Sequence, residues 1–167
     1  LFMAPDLSTI RKIPWNKEPT AQIICDLNYP SGEPSKIAPR QVLKNIIRQL
    51  SDENLRAVVA PELEFYLCEQ NLDPDLPLKT PIGKSGRRET GSKVFGIDAV
   101  NEFDKLTDDI YDYCELMNIG VDTLVHESGP SQIEINLNHG DPLALADQAF
   151  MFKRAVRQVA LKHNIHA

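Results

Sequence analysis

The sequence lacks the features by which several classes of protein are recognised. With 18 basic and 24 acidic side chains among 167 residues, its net charge is −6, so it has no basic excess for binding nucleic acids or membrane surfaces. No apolar run approaches the roughly 18 residues that a membrane helix needs. The first residues have neither the basic nor the long apolar segment of a secretory signal peptide, so we predict none. We therefore expect neither a nucleic acid nor a membrane as a partner.

Cysteine is also scarce. The chain has three cysteines, Cys25, Cys68 and Cys114, and their spacing does not match that of a metal site. An odd number of cysteines in an acidic chain without a signal peptide indicates reduced thiols, which predicts a cytoplasmic protein in which they serve as small apolar residues. The remaining composition, 42% hydrophobic and 25% charged, is that of a globular domain with a core.

The hydrophobic periodicity predicts an α+β fold, a largely antiparallel sheet with flanking helices. Apolar residues at helical spacing indicate helices at 38–50, 98–117, where Asp98 is expected to cap the helix, and 142–163. Alternating or β-branched runs indicate strands at 20–27, 55–69, 93–97, 121–127 and 131–138. We interpret 55–69 as one long strand or as a hairpin joined at Pro61, and 121–138 as a second hairpin.

Residues 71–92 differ in character from the rest of the chain. They are rich in proline and glycine and have almost no periodicity, which predicts a long loop. A loop of this length in a compact domain is usually functional or mobile.

Carboxylates alternate with apolar residues in two of the predicted strands. In "PELEFYL" (61–67), Glu62 and Glu64 share one face and the apolar side chains share the other. In "SQIEINLN" (131–138), Glu134 lies on a polar face with amide side chains, and Glu127 ends the preceding strand. If the strands belong to one sheet, the four glutamates converge on one side of it.

Converging carboxylates repel each other unless a cation neutralises them. A hard divalent ion such as Mg²⁺ or Mn²⁺ is the natural partner, because it prefers oxygen ligands. The same alternation is also typical of a half-exposed antiparallel strand whose acids face water. Spacing alone leaves both interpretations open.

Three segments resemble motifs of the glutamine synthetase family. "PELEFYL" resembles its first metal motif, and "HESGPSQIEINL" (126–137) resembles its second. "MAPDLSTIRKIPW" (3–15) resembles the segment before the catalytic sheet, and the order and separation of all three agree. The stretches "GKSGRRETG" and "DTLVHESGPSQIEINLNHGDPLALADQ" most resemble the γ-glutamylpolyamine (γ-glutamylputrescine-type) synthetases of the family.

The resemblance implies an ATP-dependent ligase that phosphorylates the γ-carboxylate of glutamate and joins it to an amine, either ammonia or a polyamine such as putrescine. It implies two sites for Mg²⁺ or Mn²⁺. The metal nearer glutamate is expected at Glu64, Glu127 and Glu134. Glu62 is expected to help hold the metal of the ATP phosphates.

Other expectations also follow from the resemblance. Leu137, Asn138 and His139 align with a stretch that borders the nucleotide, and His126 is predicted to be structural or to support the ligands. No catalytic residue is assigned. Residues 1–27 are predicted to be the end of an N-terminal β-grasp region with its linker, and 28–167 the first part of the catalytic domain.

The chain is therefore expected to be a fragment with little activity alone and with exposed apolar surface. The parent protein is expected to be a large cytoplasmic homo-oligomer of stacked rings. Two other functions stay open: a non-catalytic relative acting as a sensor or assembly module, and an unrelated acidic metal-binding or interaction module. The presence of all four carboxylates favours the enzyme.

Overall fold

The computed structural model describes residues 1–167, which form four helices and nine strands. The helices are α1 (Pro39–Asp52), α2 (Ile97–Asn101), α3 (Asp104–Leu116) and α4 (Pro142–Lys162). The strands are β1 (Phe2–Pro5), β2 (Arg11–Lys12), β3 (Ala21–Gln22), β4 (Cys25–Asn28), β5 (Glu62–Tyr66), β6 (Cys68–Glu69), β7 (Val121–His126), β8 (Gln132–Leu137) and β9 (Ile165–His166). The predicted α+β class with antiparallel strands is confirmed.

The central sheet has three antiparallel strands in the order β5-β8-β7. The inward side chains of β8, Ile133, Ile135 and Leu137, are at most 2% exposed and pack against α3 and α4. Because the side chains of a strand alternate, Gln132, Glu134 and Asn136 share the other face.

Helix α4 begins where the sequence predicts. The Asp141 side chain accepts hydrogen bonds from the amides of Leu143 and Ala144, each at 3.0 Å, and Pro142 takes the first helical position. Its buried face supplies much of the core, including Phe152 at 2% exposed and Val159 at 0%. No helix combines the length and the hydropathy that crossing a bilayer requires.

The N-terminal residues form two small ribbons, β1 with β4 and β2 with β3. The strand predicted at 20–27 is therefore two short strands. Arg40 of α1 joins this region to the rest through Asp6 at 2.6 Å, Asp26 at 2.8 Å and Asp147 of α4 at 2.9 Å.

Three predictions of local structure are wrong. Residues 55–69 are neither one long strand nor a hairpin joined at Pro61. Strand structure starts only at Glu62, β5 pairs with β8, and Val59 makes only an isolated bridge to Gly140. Residues 93–97 are not a strand, because Phe95 has a φ of +59° and the chain turns into α2 at once. Asp98 does not cap a helix; it lies in the first turn of α2, which is separate from α3.

The prediction for 71–92 is confirmed, since this segment has no helix and no strand beyond the isolated bridge between Ile82 and Arg88. Of the cysteines, all three are free thiols and only Cys114 is fully buried. Burial raises the pKa of the Cys114 thiol to about 12.

Candidate metal centre

Two glutamates face each other across the middle of the sheet. Glu64 of β5 lies directly opposite Glu134 of β8 in the antiparallel register. Directly opposite residues have Cβ atoms about 5 Å apart, so their side chains interact, and like charges there are destabilising. Glu134 is only 9% exposed, whereas Glu64 faces solvent.

The β7–β8 hairpin brings a third carboxylate to the pair. Glu127 follows β7 and is half-buried, and one carboxylate oxygen from each of Glu64, Glu127 and Glu134 lies within 4.8 Å of the others. We call these three residues the carboxylate cluster. The convergence that the sequence suggested is therefore present for three of the four glutamates.

Gln132 connects the hairpin turn to the cluster. Its Nε2 donates to Glu64 Oε2 at 2.6 Å, and its Oε1 accepts from the Gly129 amide at 2.8 Å. A Cβ at Gly129 would lie 2.4 Å from Tyr66 Oη and 2.8 Å from Gln132 Oε1, so a side chain at this turn position would displace Tyr66 and Gln132. The turn and the Glu64 carboxylate are thus held by the same amide.

Glu62 is outside the carboxylate cluster. It shares the face of Glu64, is exposed, and lies opposite Asn136 in the register. Asn136 Nδ2 donates to Thr123 Oγ1 at 2.9 Å, while its Oδ1 is buried without a hydrogen-bond partner. Glu62 is therefore the one predicted ligand that the structure does not bring into the carboxylate cluster.

The chemistry of these donors fits hard divalent cations. All are oxygen atoms, which Mg²⁺ and Mn²⁺ prefer, and sulfur and imidazole ligands are absent from the carboxylate cluster. A cation among three carboxylates also offsets the repulsion that their proximity creates. The arrangement can therefore hold at least one such ion and leave positions for other oxygen ligands.

The three residues predicted to border the nucleotide lie at the end of β8, where Leu137 is the last residue of the strand and Asn138 and His139 follow it. The Leu137 side chain is 2% exposed and belongs to the core, so only its main chain is available to a ligand. Asn138 and His139 are exposed. Their role stays a prediction.

A buried pair that the sequence reasoning missed lies behind the hairpin. His126 is 0% exposed and its Nε2 lies 2.9 Å from Oε2 of Glu89, whose side chain is 8% exposed. For His126 the sequence predicts a structural role or support of the ligands. It gives no signal for Glu89, which lies in the loop 71–92, where no periodicity indicates which side chains face inward.

Comparisons with known proteins agree with this geometry. The family model "Glutamine synthetase, catalytic domain" matches residues 36–167. The chain is 36% identical over 98% of its length to γ-glutamylputrescine synthetase PuuA of Escherichia coli strain K12, and 28% identical over its whole length to glutamate–isopropylamine ligase of a Pseudomonas species. It spans about a third of these relatives, 35% and 36% of their lengths.

Solved structures show the same fold. The apo structure of GmaS superposes with a TM-score of 0.82 at 23% identity, over 99% of this chain and 37% of that one. Because the family model covers well over half of the residues and includes all four predicted metal-binding glutamates, this chain belongs to the glutamine synthetase catalytic-domain family.

Proposed function

We propose that this chain is part of an ATP-dependent ligase that joins the γ-carboxylate of glutamate to an amine. The observation that carries the proposal is the carboxylate cluster, three acids from three separate segments of a glutamine synthetase-family chain with oxygens within 4.8 Å of each other. Three neighbouring carboxylates repel each other unless a cation is bound among them. Phosphoryl transfer from ATP requires such a divalent cation.

Each carboxylate has a role in this proposal. Glu64, Glu127 and Glu134 hold the Mg²⁺ or Mn²⁺ nearer glutamate. Glu62, supported by the unpartnered Oδ1 of Asn136, helps to hold a second ion beside the ATP phosphates. When bound, the ions neutralise the charge on the phosphoryl group and on the carboxylate that receives it.

The proposed reaction has two steps. A γ-carboxylate oxygen of glutamate forms a bond to the terminal phosphorus of ATP as the bond to ADP breaks, which gives γ-glutamyl phosphate. The amine nitrogen then forms a bond to the acyl carbon, phosphate leaves, and the nitrogen loses a proton. The face of the sheet that carries the cluster orients the carboxylate. The main chain of Leu137 at the end of β8 and the exposed residues Asn138 and His139 border the nucleotide.

For the acceptor amine we favour a polyamine such as putrescine, with ammonia as the alternative. The 36% identity to γ-glutamylputrescine synthetase supports this choice, against 29% to the glutamine synthetase of Mycobacterium bovis. We further propose a large cytoplasmic homo-oligomer of stacked rings. Residues 1–27 are assigned to the end of an N-terminal β-grasp region and 28–167 to the start of the catalytic domain.

A coupled assay of ADP release tests this function. The protein as encoded in full is expected to release ADP only when glutamate and an amine are both present, with putrescine, isopropylamine and ammonia compared as acceptors. Residues 1–167 alone are expected to give no turnover, since they span about a third of the active relatives. ADP release that does not depend on an amine would contradict the ligase. The absence of ADP release with every amine would contradict it as well, and would favour a sensor or assembly role.

A further inference from the structure

We propose that Glu89 is a positioning residue for the carboxylate cluster, acting through His126 on the strand end that carries Glu127. This inference rests on the proposed function, because it concerns a site proposed to hold a divalent cation. It adds a residue that lies outside the sheet and contacts none of the three carboxylate side chains directly.

Glu89 contacts both ends of the hairpin turn with a single atom. Its Oε2 accepts a hydrogen bond from the Ser131 amide at 2.6 Å and lies 2.9 Å from His126 Nε2. Ser131 directly precedes β8, and His126 is the last residue of β7. One carboxylate oxygen therefore connects the end of β7, next to Glu127, with the start of β8, the strand that carries Glu134.

The His126 ring passes this contact to Glu127. Its Nδ1 lies 2.8 Å from the Glu127 carbonyl oxygen, which can only accept, so Nδ1 carries the proton and donates. The opposite ring nitrogen faces Glu89. The ring is held between a carboxylate and the main chain of a cluster residue, an arrangement by which outer groups orient metal ligands.

Glu89 is itself held in place, so it can act as an anchor. Its carbonyl oxygen accepts from Thr80 Oγ1 at 2.9 Å, and the neighbouring bridge between Ile82 and Arg88 closes the loop on itself. From the other side, the Phe95 amide donates to the His126 carbonyl at 2.9 Å. His126 at the end of β7 is therefore held by two residues, Glu89 through its ring and Phe95 through its main chain.

Burial of this acid is not explained by stability alone. Removing a carboxylate from water is unfavourable unless hydrogen bonds satisfy it, and apolar replacements of buried ionic groups are often neutral or stabilising. Here one oxygen takes both contacts, and Glu89 Oε1 has no partner among the residues of the chain. We infer that the buried carboxylate serves to fix the distance between His126 and Ser131, the two ends of the turn.

The test compares Mn²⁺ affinity in the protein as encoded in full, measured by calorimetry, for the parent and for two variants. Glu89→Ala removes both contacts, and we expect the Mn²⁺ dissociation constant to rise about tenfold. Glu89→Gln keeps an oxygen for the Ser131 amide but loses the charge beside His126, and we expect a rise of about threefold. Circular dichroism checks that each variant is folded; if the alanine variant does not fold, the glutamine variant carries the test.

Two controls separate positioning from a general loss of order. Glu102→Ala removes a carboxylate that contacts the same loop, at the Ser85 amide at 3.0 Å, but not the hairpin, and we expect unchanged affinity. In a Glu127→Ala background, Glu89→Ala is expected to cause a smaller further loss than in the parent, because the carboxylate that Glu89 positions through His126 is gone while its contact with the Ser131 amide remains.

The outcomes are distinguishable. A parent that binds Mn²⁺ and folded Glu89 variants that bind it equally well would overturn the positioning role and leave the proposed function standing. A parent that binds no Mn²⁺ would overturn the metal centre and this inference with it. An undiminished effect of Glu89→Ala in the Glu127→Ala background would also overturn action through Glu127.

Discussion

At the scale of single residues, the pairing of Glu64 with Glu134 is an arrangement that stability alone does not favour. Like charges directly opposite each other in a sheet are destabilising, and here one of the two side chains, Glu134, is only 9% exposed. Glutamine at the same positions would keep the shape and remove the repulsion. This repulsion is a reason to propose that the two acids are metal ligands.

We predict that Glu134→Gln raises the melting temperature of the metal-free chain by about 1–3 °C, because it removes one of three neighbouring charges. The same variant is expected to lose the stabilisation that Mn²⁺ gives the parent. Thermal unfolding with and without Mn²⁺ measures both effects. A metal-free variant less stable than the parent would show that Glu134 has a structural role that the contacts do not reveal.

The residues of the site were predictable to different degrees. The local alternation of polar and apolar residues predicts on which face of its strand each of Glu64 and Glu134 lies. The resemblance to the family motifs predicts that the two side chains lie close together. Glu89 could not be predicted, because its contacts with His126 and Ser131 join positions far apart in the sequence through a loop without periodicity.

At the scale of elements, Arg40 fixes helix α1 to its surroundings. Its guanidinium is 13% exposed and contacts carboxylates of the N-terminal segment, β4 and α4. Removing one partner of a buried ion pair leaves the charge of the other partner uncompensated. The resulting loss of stability is larger than the net contribution of the intact pair. The network therefore holds the N-terminal ribbons against the helices.

We predict that Arg40→Met lowers the free energy of unfolding by about 2 kcal/mol, less than for a fully buried pair because the partners are partly exposed. The change corresponds to a drop in melting temperature of about 4–8 °C for a chain of this size. Lys105→Met, on the exposed face of α3, is the matched control and is expected to change neither quantity.

The same network predicts a dependence on pH. Hydrogen bonds from the Ser8 hydroxyl and from Arg40 lower the pKa of Asp6 to about 2. Burial alone would raise the pKa of Asp26, but hydrogen bonds from Lys44 and Arg40 outweigh it and lower that pKa as well. Both groups bind protons less readily in the folded chain, so their stabilisation is present above about pH 4 and is lost as the pH falls towards 2.

Urea unfolding at several pH values measures this effect. The difference in unfolding free energy between the parent and Arg40→Met is expected to shrink as the pH falls from about 4 to about 2. A difference that stays constant over this range would show that the Arg40 contacts do not stabilise the folded state through Asp6 and Asp26.

Elements with a local signal were predicted well. Helices α1 and α4 follow from apolar spacing and from proline near the start, and the β7–β8 hairpin follows from alternation around a Ser-Gly-Pro turn. The partner of β5 did not follow, since β8 lies about seventy residues further along the chain. The turn at Phe95 also depends on distant structure, the hydrogen bond to the His126 carbonyl.

At the scale of the whole molecule, one side of the sheet region carries exposed apolar surface, as the sequence led us to expect. A cavity of about 630 Å³ lies between β5 and α4 and is lined mainly by apolar side chains, among them Leu63, Phe65, Leu78, Phe150 and Val156. We call it the apolar groove. Phe150 is 61% exposed within it.

We predict that Phe150→Ser reduces the binding of an apolar fluorescent dye to residues 1–167 and changes their melting temperature little, because the ring is mostly exposed. Phe152→Ala on the same helix is the contrasting control. Its ring is 2% exposed, so its loss is expected to lower the free energy of unfolding by about 3–5 kcal/mol. Equal effects of the two substitutions on stability would contradict the assignment of the core.

The most direct test of the account is the Mn²⁺ titration of a Glu64→Ala, Glu134→Ala double variant against the parent, with binding measured by electron paramagnetic resonance. Glu33→Ala, Glu115→Ala is the control, since it removes the same charge from exposed positions outside the site. We predict that the parent and the control bind Mn²⁺ with equal affinity and that the site variant binds at least about a hundredfold more weakly. Equal binding by all three proteins would contradict a metal centre at the carboxylate cluster.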